Sequence, residues 1–194
     1  YHPFFTHSVS NSLLHCFNSP NSDWGEYNYI KEQLISNGFI IPDDYNELDF
    51  LKSRIDQEVN SLHYTLTLLP TYTCNFSCWY CVQKHKEEYM SKQIVEAVKK
   101  HIARYLKENN IKEFEIHWFG GEPLLCFDKQ VSEISKFALD YCKKNAIVFI
   151  NNITTNGYLI DEDMAKEMNN LRFRQFQITS DGAREIHNST RNLN

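Results

Sequence analysis

From residue 62 onward, segments patterned as strands alternate with segments patterned as helices, and few folds accommodate that order. Strands are read at residues 63–69, 113–119, 147–154 and 173–179. Helices are read at 91–109, 128–144 and 161–170, with Ser91 and Asp161 as N-caps. A strand that returns parallel through a helix does so by a right-handed crossover, so the expected fold class is α/β with a parallel sheet. In such sheets the working groups gather beyond the C-terminal ends of the strands. Thr155-Asn156-Gly157 and Asp181-Gly182 fall at two of those ends.

Parallel strands buried on both faces read as continuous apolar runs. These do not. The two-residue period gathers Thr65 and Thr67 on one face of the first strand, and Glu115 and His117 on that of the second. Asn152 and Thr154 follow on the third, and Gln175 and Gln177 on the fourth. The opposite faces are assigned Leu66, Leu68, Phe114, Ile116, Trp118, Val148, Ile150, Phe176 and Ile178. The apolar face is expected to pack on the helices, and the polar face to wall a hydrated, concave site. His117 and Gln177 are read there as substrate contacts or as hydrogen-bonded wall residues. An open sheet with its polar face in solvent would carry the same pattern.

After the first strand comes Cys74-Asn75-Phe76-Ser77-Cys78-Trp79-Tyr80-Cys81. Three thiolates on one short loop can hold three corners of a four-iron cluster and leave the fourth iron open to a ligand. His85 offers a rival reading, because Cys-x3-Cys-x2-Cys-x3-His can close a tetrahedral zinc site. Trp79 and Tyr80 weigh against zinc, whose loops usually carry small or charged residues. Cys16, Cys126 and Cys142 have no ligand spacing and read as ordinary buried or partly buried thiols. Half of the six cysteines thus fit a thiolate-metal loop, which argues for a reducing, cytoplasmic compartment.

Gly120-Gly121-Glu122-Pro123 follows directly on the second strand. The cysteine loop and this motif, in this order and each at a strand end, resemble the radical S-adenosylmethionine (radical SAM) superfamily over about residues 62–191. The resemblance implies a partial (β/α) TIM-type barrel in which Cys74, Cys78 and Cys81 bind a [4Fe-4S] cluster. It places Tyr80 against the adenine of S-adenosylmethionine, and Gly120, Gly121 and Glu122 at the methionyl amine. The Glu122 carboxylate and nearby carbonyls would accept from that amine. The two glycines would let backbone approach the methionyl moiety, and Pro123 would fix the exit of the chain.

The fourth strand ends in Thr179-Ser180-Asp181-Gly182, which looks like the branch of anaerobic sulfatase-maturing enzymes and peptide maturases with a SPASM domain. There a Ser at the position of Thr179 contacts the ribose, and Thr keeps the hydroxyl. An Arg at the position of Arg191 pairs with the carboxylate of the cofactor, which suits a guanidinium fork. Sulfatase-maturing enzymes typically follow the third cysteine with two aromatics, whereas this chain has Val82-Gln83. That departure counts against sulfatase maturation and favours a ribosomal-peptide maturase forming thioether or carbon–carbon cross-links.

The implied activity is reductive cleavage of S-adenosylmethionine to a 5′-deoxyadenosyl radical that abstracts hydrogen from a peptide or protein. Implied partners are that substrate and a one-electron reductant such as flavodoxin or ferredoxin. A nucleoside or small metabolite is the alternative substrate. A non-enzymatic zinc protein on Cys74, Cys78, Cys81 and His85 is the alternative of another class. The net charge of −5 gives no electrostatic footprint for nucleic acid. No apolar run approaches the ~20 residues needed to span a bilayer, and there is no signal-peptide pattern.

Residues 1–61 read as a separate α+β module, ahead of the barrel at 62–194. Residues 4–9 and 13–17 are expected to form a hairpin. A helix is expected from Asp23 to Ser36 with Gly38 at its C-cap, then a short strand Phe39-Ile40-Ile41. Asp43 or Asp44 is expected to cap a second helix running to about Asn60. The module would capture a substrate or leader peptide, or pack as an extension of the barrel. The family barrel has six β-α units and only the first four strands are read here. The fourth strand is therefore expected to present an unpaired edge, and the piece to self-associate and lack turnover.

Overall fold

The computed structural model describes residues 11–19 and 21–193, and the chain divides into two compact units, Tyr1–Val59 and Asn60–Asn194. The described part of the first unit is helical: α1 (Asn11–Asn18), α2 (Asn28–Ser36) and α3 (Glu47–Val59). Residues 13–17, expected as one arm of a hairpin, lie in α1; the other arm, residues 4–9, lies outside the described residues. Leu13 and Cys16, three apart, are half-buried, which is helical rather than strand periodicity. Trp24 is the buried anchor of this unit, edge-on to Phe17 at 5.3 Å.

Three expectations for this unit change. The Asp23 carboxylate accepts from the Gly25 N–H at 2.9 Å and from the Asn28 amide at 2.8 Å. That turn, followed by a 3-10 segment Gly25–Tyr27, delays the start of α2. Phe39 and Ile40 make no strand, because both N–H groups donate to the Leu34 carbonyl and close the end of α2, past Gly38 at φ +73°. The cap of α3 is Asn46, whose Oδ1 accepts the Asp49 N–H at 3.1 Å, rather than Asp43 or Asp44.

The second unit opens with β1 (His63–Leu68), β2 (Phe76–Cys78), α4 (Lys92–Glu108) and β3 (Glu113–Trp118). It continues through α5 (Ser132–Lys144), β4 (Val148–Thr155), α6 (Glu162–Asn170) and β5 (Phe173–Ile178). It closes with α7 (Arg184–Thr190) and β6 (Arg191–Leu193). The four long strands form one parallel sheet in the order β1-β3-β4-β5, which is a partial (β/α) barrel. Ser91 Oγ accepts the Ile94 N–H and Asp161 Oδ1 accepts the Met164 N–H, so both capping residues act as their sequence position requires. One π-helical turn, Phe127–Val131, leads into α5.

Phe114, Ile116 and Trp118 are fully buried with Ile102 of α4 and Ile134 and Ala138 of α5, and this is the core under the sheet. The faces of β4 differ from expectation. Register pairs Phe114 with Phe149, Ile116 with Asn151 and Trp118 with Ile153, so those residues face the helices. Val148 and Ile150 instead share the face of Asn152 and Thr154, as a strict two-residue period demands. Asn151 is a fully buried polar residue held by the Trp118 indole N–H at 3.0 Å and the Leu171 carbonyl at 2.7 Å. No helix among the described residues is long and apolar enough to cross a membrane.

Candidate active site

The segment after β1 is stapled before it reaches the cysteines. Met90 N–H donates to the Pro70 carbonyl at 2.7 Å, the Thr71 hydroxyl to the Glu88 carbonyl at 2.7 Å, and the Thr73 hydroxyl to the Lys86 carbonyl at 3.0 Å. These close the base of a loop that carries Cys74, Cys78 and Cys81. Buried Phe76 anchors its middle, and β2 pairs antiparallel with β6 so that Cys78 stands opposite Arg191. Burial pushes the Cys74 and Cys78 thiols up, opposed at Cys74 by the Phe76 N–H and at Cys78 by Arg191. Ligation by these groups requires loss of their protons. His85 lies beside Cys81, Nε2 to Sγ 3.5 Å, and its Nδ1 is 3.2 Å from the Tyr72 carbonyl. Among the described residues no group of three His, Cys, Asp or Glu side chains gathers closely enough for a single ion.

Gly120 and Gly121 follow β3, and their lack of a Cβ serves the protein backbone first. A Cβ on Gly120, which sits at φ +123°, would lie 2.6 Å from the Thr71 carbonyl oxygen. One on Gly121 would lie 2.2 Å from that of Thr73. The Gly121 N–H donates to the Thr71 carbonyl at 3.1 Å and the Glu122 N–H to that of Thr73 at 2.8 Å. The glycine pair thus lets the stem of the cysteine loop lie directly on the exit of β3.

Glu122, expected to face the methionyl amine, is fully buried and points inward. Its Oε1 accepts from the Leu124 N–H at 2.9 Å and the Thr155 hydroxyl at 2.7 Å, and its Oε2 accepts from the Asn156 N–H at 2.8 Å. These donors sit inside the protein, and they draw the carboxylate to the end of β4. Burial pushes its carboxyl up, against the pull of the three donors.

Tyr80 and Arg191 meet across the loop through Asp181, a residue that strand-end position alone had flagged without a role. The Arg191 Nε donates to Asp181 Oδ2, its Nη2 donates to the Tyr80 hydroxyl at 2.6 Å, and the guanidinium carbon lies 5.7 Å from the Tyr80 ring centroid. The Tyr80 hydroxyl in turn lies 3.2 Å from both Asp181 oxygens. Hydrogen bonding from Arg191 holds the Asp181 carboxyl below the usual carboxylate range. Asn156 is the other residue without an earlier role. Its amide reaches Asn75 at 2.8 Å and lies 4.0 Å from Cys74 Sγ.

One cleft of about 430 Å³ gathers these groups at the C-terminal ends of the strands; the three cysteines, Tyr80, Gly120 and Gly121 line it, as do Asn156, Thr179 and Arg191. Thr154 lines it too and continues into the polar face of the sheet. There the Thr154 hydroxyl donates to Gln177 Oε1 at 3.2 Å and stands 3.0 Å from His117 Nε2. The Thr154 hydroxyl thus links His117 to Gln177, with the roles at His117 Nε2 set by its tautomer.

The pattern of the Radical SAM superfamily matches residues 68–194. Radical SAM cyclopropyl synthase TigE of Paramaledivibacter caminithermalis is 25% identical over 201 residues, covering 88% of this chain and 42% of its own. GTP 3′,8-cyclase of Campylobacter jejuni subsp. doylei is 34% identical over 128 residues, 66% of this chain and 37% of its own. The cysteine-type anaerobic sulfatase-maturating enzyme of Clostridium perfringens is 30% identical over 126 residues, 61% of this chain and 32% of its own. A solved structure of native anSMEcpe with bound AdoMet and Cp18Cys peptide aligns with a TM-score of 0.56 and 29% identity, over 66% of this chain and 34% of that one. The chain therefore spans between 32% and 42% of the length of these curated relatives.

Proposed function

The chain belongs to the radical SAM superfamily, and from that premise we propose that it serves hydrogen abstraction from a peptide or protein, driven by reductive cleavage of S-adenosylmethionine. Its cofactors are a [4Fe-4S] cluster and S-adenosylmethionine. The residues fit them. Three thiols share one cleft with the cation of Arg191, and the buried Nδ2 of Asn75, next to Cys74, has no acceptor in the protein. A sulfur-rich anionic group would supply one. When bound, the cluster and S-adenosylmethionine would supply the one-electron chemistry for hydrogen abstraction.

The chain's own residues bind and orient. Cys74, Cys78 and Cys81 would ligate the cluster, and Arg191, set by Asp181, would offer its remaining donors to the carboxylate of the cofactor. Thr179 at the rim would meet the ribose, and the Tyr80 ring the adenine. Glu122 would act from beneath, by fixing strand ends. The zinc reading of Cys74, Cys78, Cys81 and His85 is set aside by the family match.

The carrying observation is the one cleft that brings the cysteine loop together with residues from the ends of β3, β4 and β5. A peptide substrate is supported by the likeness to a sulfatase-maturating enzyme and to a structure holding a peptide. The likeness to the cyclopropyl synthase also spans too much of the chain to be confined to Asn60–Asn194, so it reaches the first unit, which we assign to substrate capture. Making a cyclopropyl ring closes a carbon–carbon bond, in keeping with a cross-linking maturase. A second reading, a nucleotide substrate, is favoured by the likeness to GTP 3′,8-cyclase. Electrons would come from a one-electron protein donor such as flavodoxin or ferredoxin.

The test is anaerobic reconstitution of wild type and Cys78→Ala, with iron, sulfide and visible absorption measured. About four irons per chain are expected in wild type and a loss in the variant. One tightly held zinc without broad visible absorption overturns the reading. Peptide and GTP, each titrated into the reconstituted protein, separate the two substrate classes.

A further inference from the structure

Asn156 is locked in place on three sides. Its main-chain N–H donates to Glu122 Oε2 at 2.8 Å, and its Oδ1 accepts the Tyr158 N–H at 3.0 Å. With Oδ1 committed, the amide has one orientation, and its Nδ2 faces the cysteine loop. That nitrogen donates to Asn75 Oδ1 at 2.8 Å and lies 4.0 Å from Cys74 Sγ. The Phe76 N–H lies 3.4 Å from the same sulfur. Cys74 thus has a main-chain and a side-chain N–H directed at it, and the side-chain donor comes from the end of β4.

Donors to a ligating sulfur stabilise negative charge, and they do so most in the reduced, more negative state of a cluster. We propose that Asn156 is a positioning residue that tunes the cluster through Cys74. Its amide orients Asn75 and stabilises charge on the Cys74 sulfur, which makes one-electron reduction easier. The inference rests on the cofactor assignment above. A carboxylate in place of this amide would work against the cluster, because it would face the Asn75 oxygen and the sulfur together.

The experiment is a dithionite titration of reconstituted wild type, Asn156→Ala and Asn156→Asp, followed by visible absorption and by electron paramagnetic resonance, with iron and sulfide counted in each. Asn156→Ala should shift the reduction equilibrium roughly five- to tenfold against reduction, about 40 to 59 mV for one electron. Asn156→Asp keeps an oxygen for Tyr158 and should shift it further the same way. A packing role alone would change melting or iron content but leave the potential of the retained cluster in place. Equal potentials in wild type and in whichever variant retains its cluster overturn this inference and leave the cofactor assignment standing. A wild type that takes up no iron and sulfide overturns both.

Discussion

The carboxylate of Glu122 and the hydroxyl of Thr155 meet at 2.7 Å in a buried contact that joins the end of β3 to the end of β4. The Leu124 and Asn156 N–H groups converge on the same side chain. Two strand ends are therefore held by one acceptor group. The position of Asn156, and through it the contact with the cysteine loop, depends on that joint.

Glu122→Ala should destabilise the protein before any cofactor is considered. It leaves two main-chain N–H groups and a hydroxyl buried without an acceptor, at about 1–3 kcal/mol for each if taken alone. Because the three share one site, the sum is smaller, and a total of about 2–4 kcal/mol is expected. Urea unfolding of the cluster-free protein measures it. An unchanged midpoint would mean that the carboxylate does not hold the strand ends.

Gly121→Ala should damage the cysteine loop rather than the sheet. The added methyl would sit 2.2 Å from the Thr73 oxygen and 2.7 Å from that of Tyr72, and both are main-chain atoms that cannot swing aside. The stem of the loop must move, at a cost of about 1–3 kcal/mol or more. Iron uptake should fall while far-ultraviolet circular dichroism holds. Full iron uptake with wild-type stability would show that the stem does not need this close approach.

The order of the long elements was legible because the period marks the strands and helices, caps fix the starts of α4 and α6, and motifs mark strand ends. The helix α5, which has no capping side chain, starts instead from a π-helical turn. Ser91 and Asp161 cap α4 and α6, and all four parallel strands begin and end within a residue of the pattern. What stayed hidden depended on partners distant in sequence. The glycine motif reads as room for a ligand; the missing Cβ atoms also let the backbone of Thr71 to Thr73 lie against the pair, while both glycines line the cleft. Glu122 reads as an acceptor for the methionyl amine until the Leu124, Thr155 and Asn156 donors draw its carboxylate inward. Asp181 and Asn156 stood at the right strand ends, but their roles come from Arg191, Tyr80 and Asn75, which no local window contains. Asn110, Ala146 and Arg172 end α4, α5 and α6 at positive φ without glycine, which removes the helix-stop signal a reader expects.

Cys126 and Cys142 should be silent to alkylation in the native protein. Both are buried, and burial pushes the first up to about 11 and the second to about 12. At pH 8 about one Cys126 in a thousand is then thiolate, and fewer of Cys142. Cys81, on the exposed part of the loop, should react with iodoacetamide at least about a hundredfold faster in cluster-free protein. Peptide mass spectrometry after timed quenching reads each site. Comparable rates at Cys81 and Cys142 would mean that α5 opens readily from the sheet.

Glu167 gives a pH dependence away from the site. Its Oε1 accepts from the Lys136 ammonium at 2.8 Å and the Ser132 hydroxyl at 2.9 Å, joining α6 to α5. The bond from Lys136, then that from Ser132, lowers its carboxyl below the ordinary 4.5. A group depressed by folding adds stability above its unfolded value and loses it as pH falls through the folded one. The pair is largely exposed, so wild type should exceed Glu167→Gln by only about 0.5 kcal/mol at pH 7. That margin should shrink from the ordinary value downward and vanish in stronger acid. In 1 M salt the Lys136 share should be screened and the margin should shrink, because the Gln oxygen still accepts from the Ser132 hydroxyl. Denaturant melts of both proteins across this range decide it. A difference constant with pH would mean that an ionised carboxylate is not what joins the two helices.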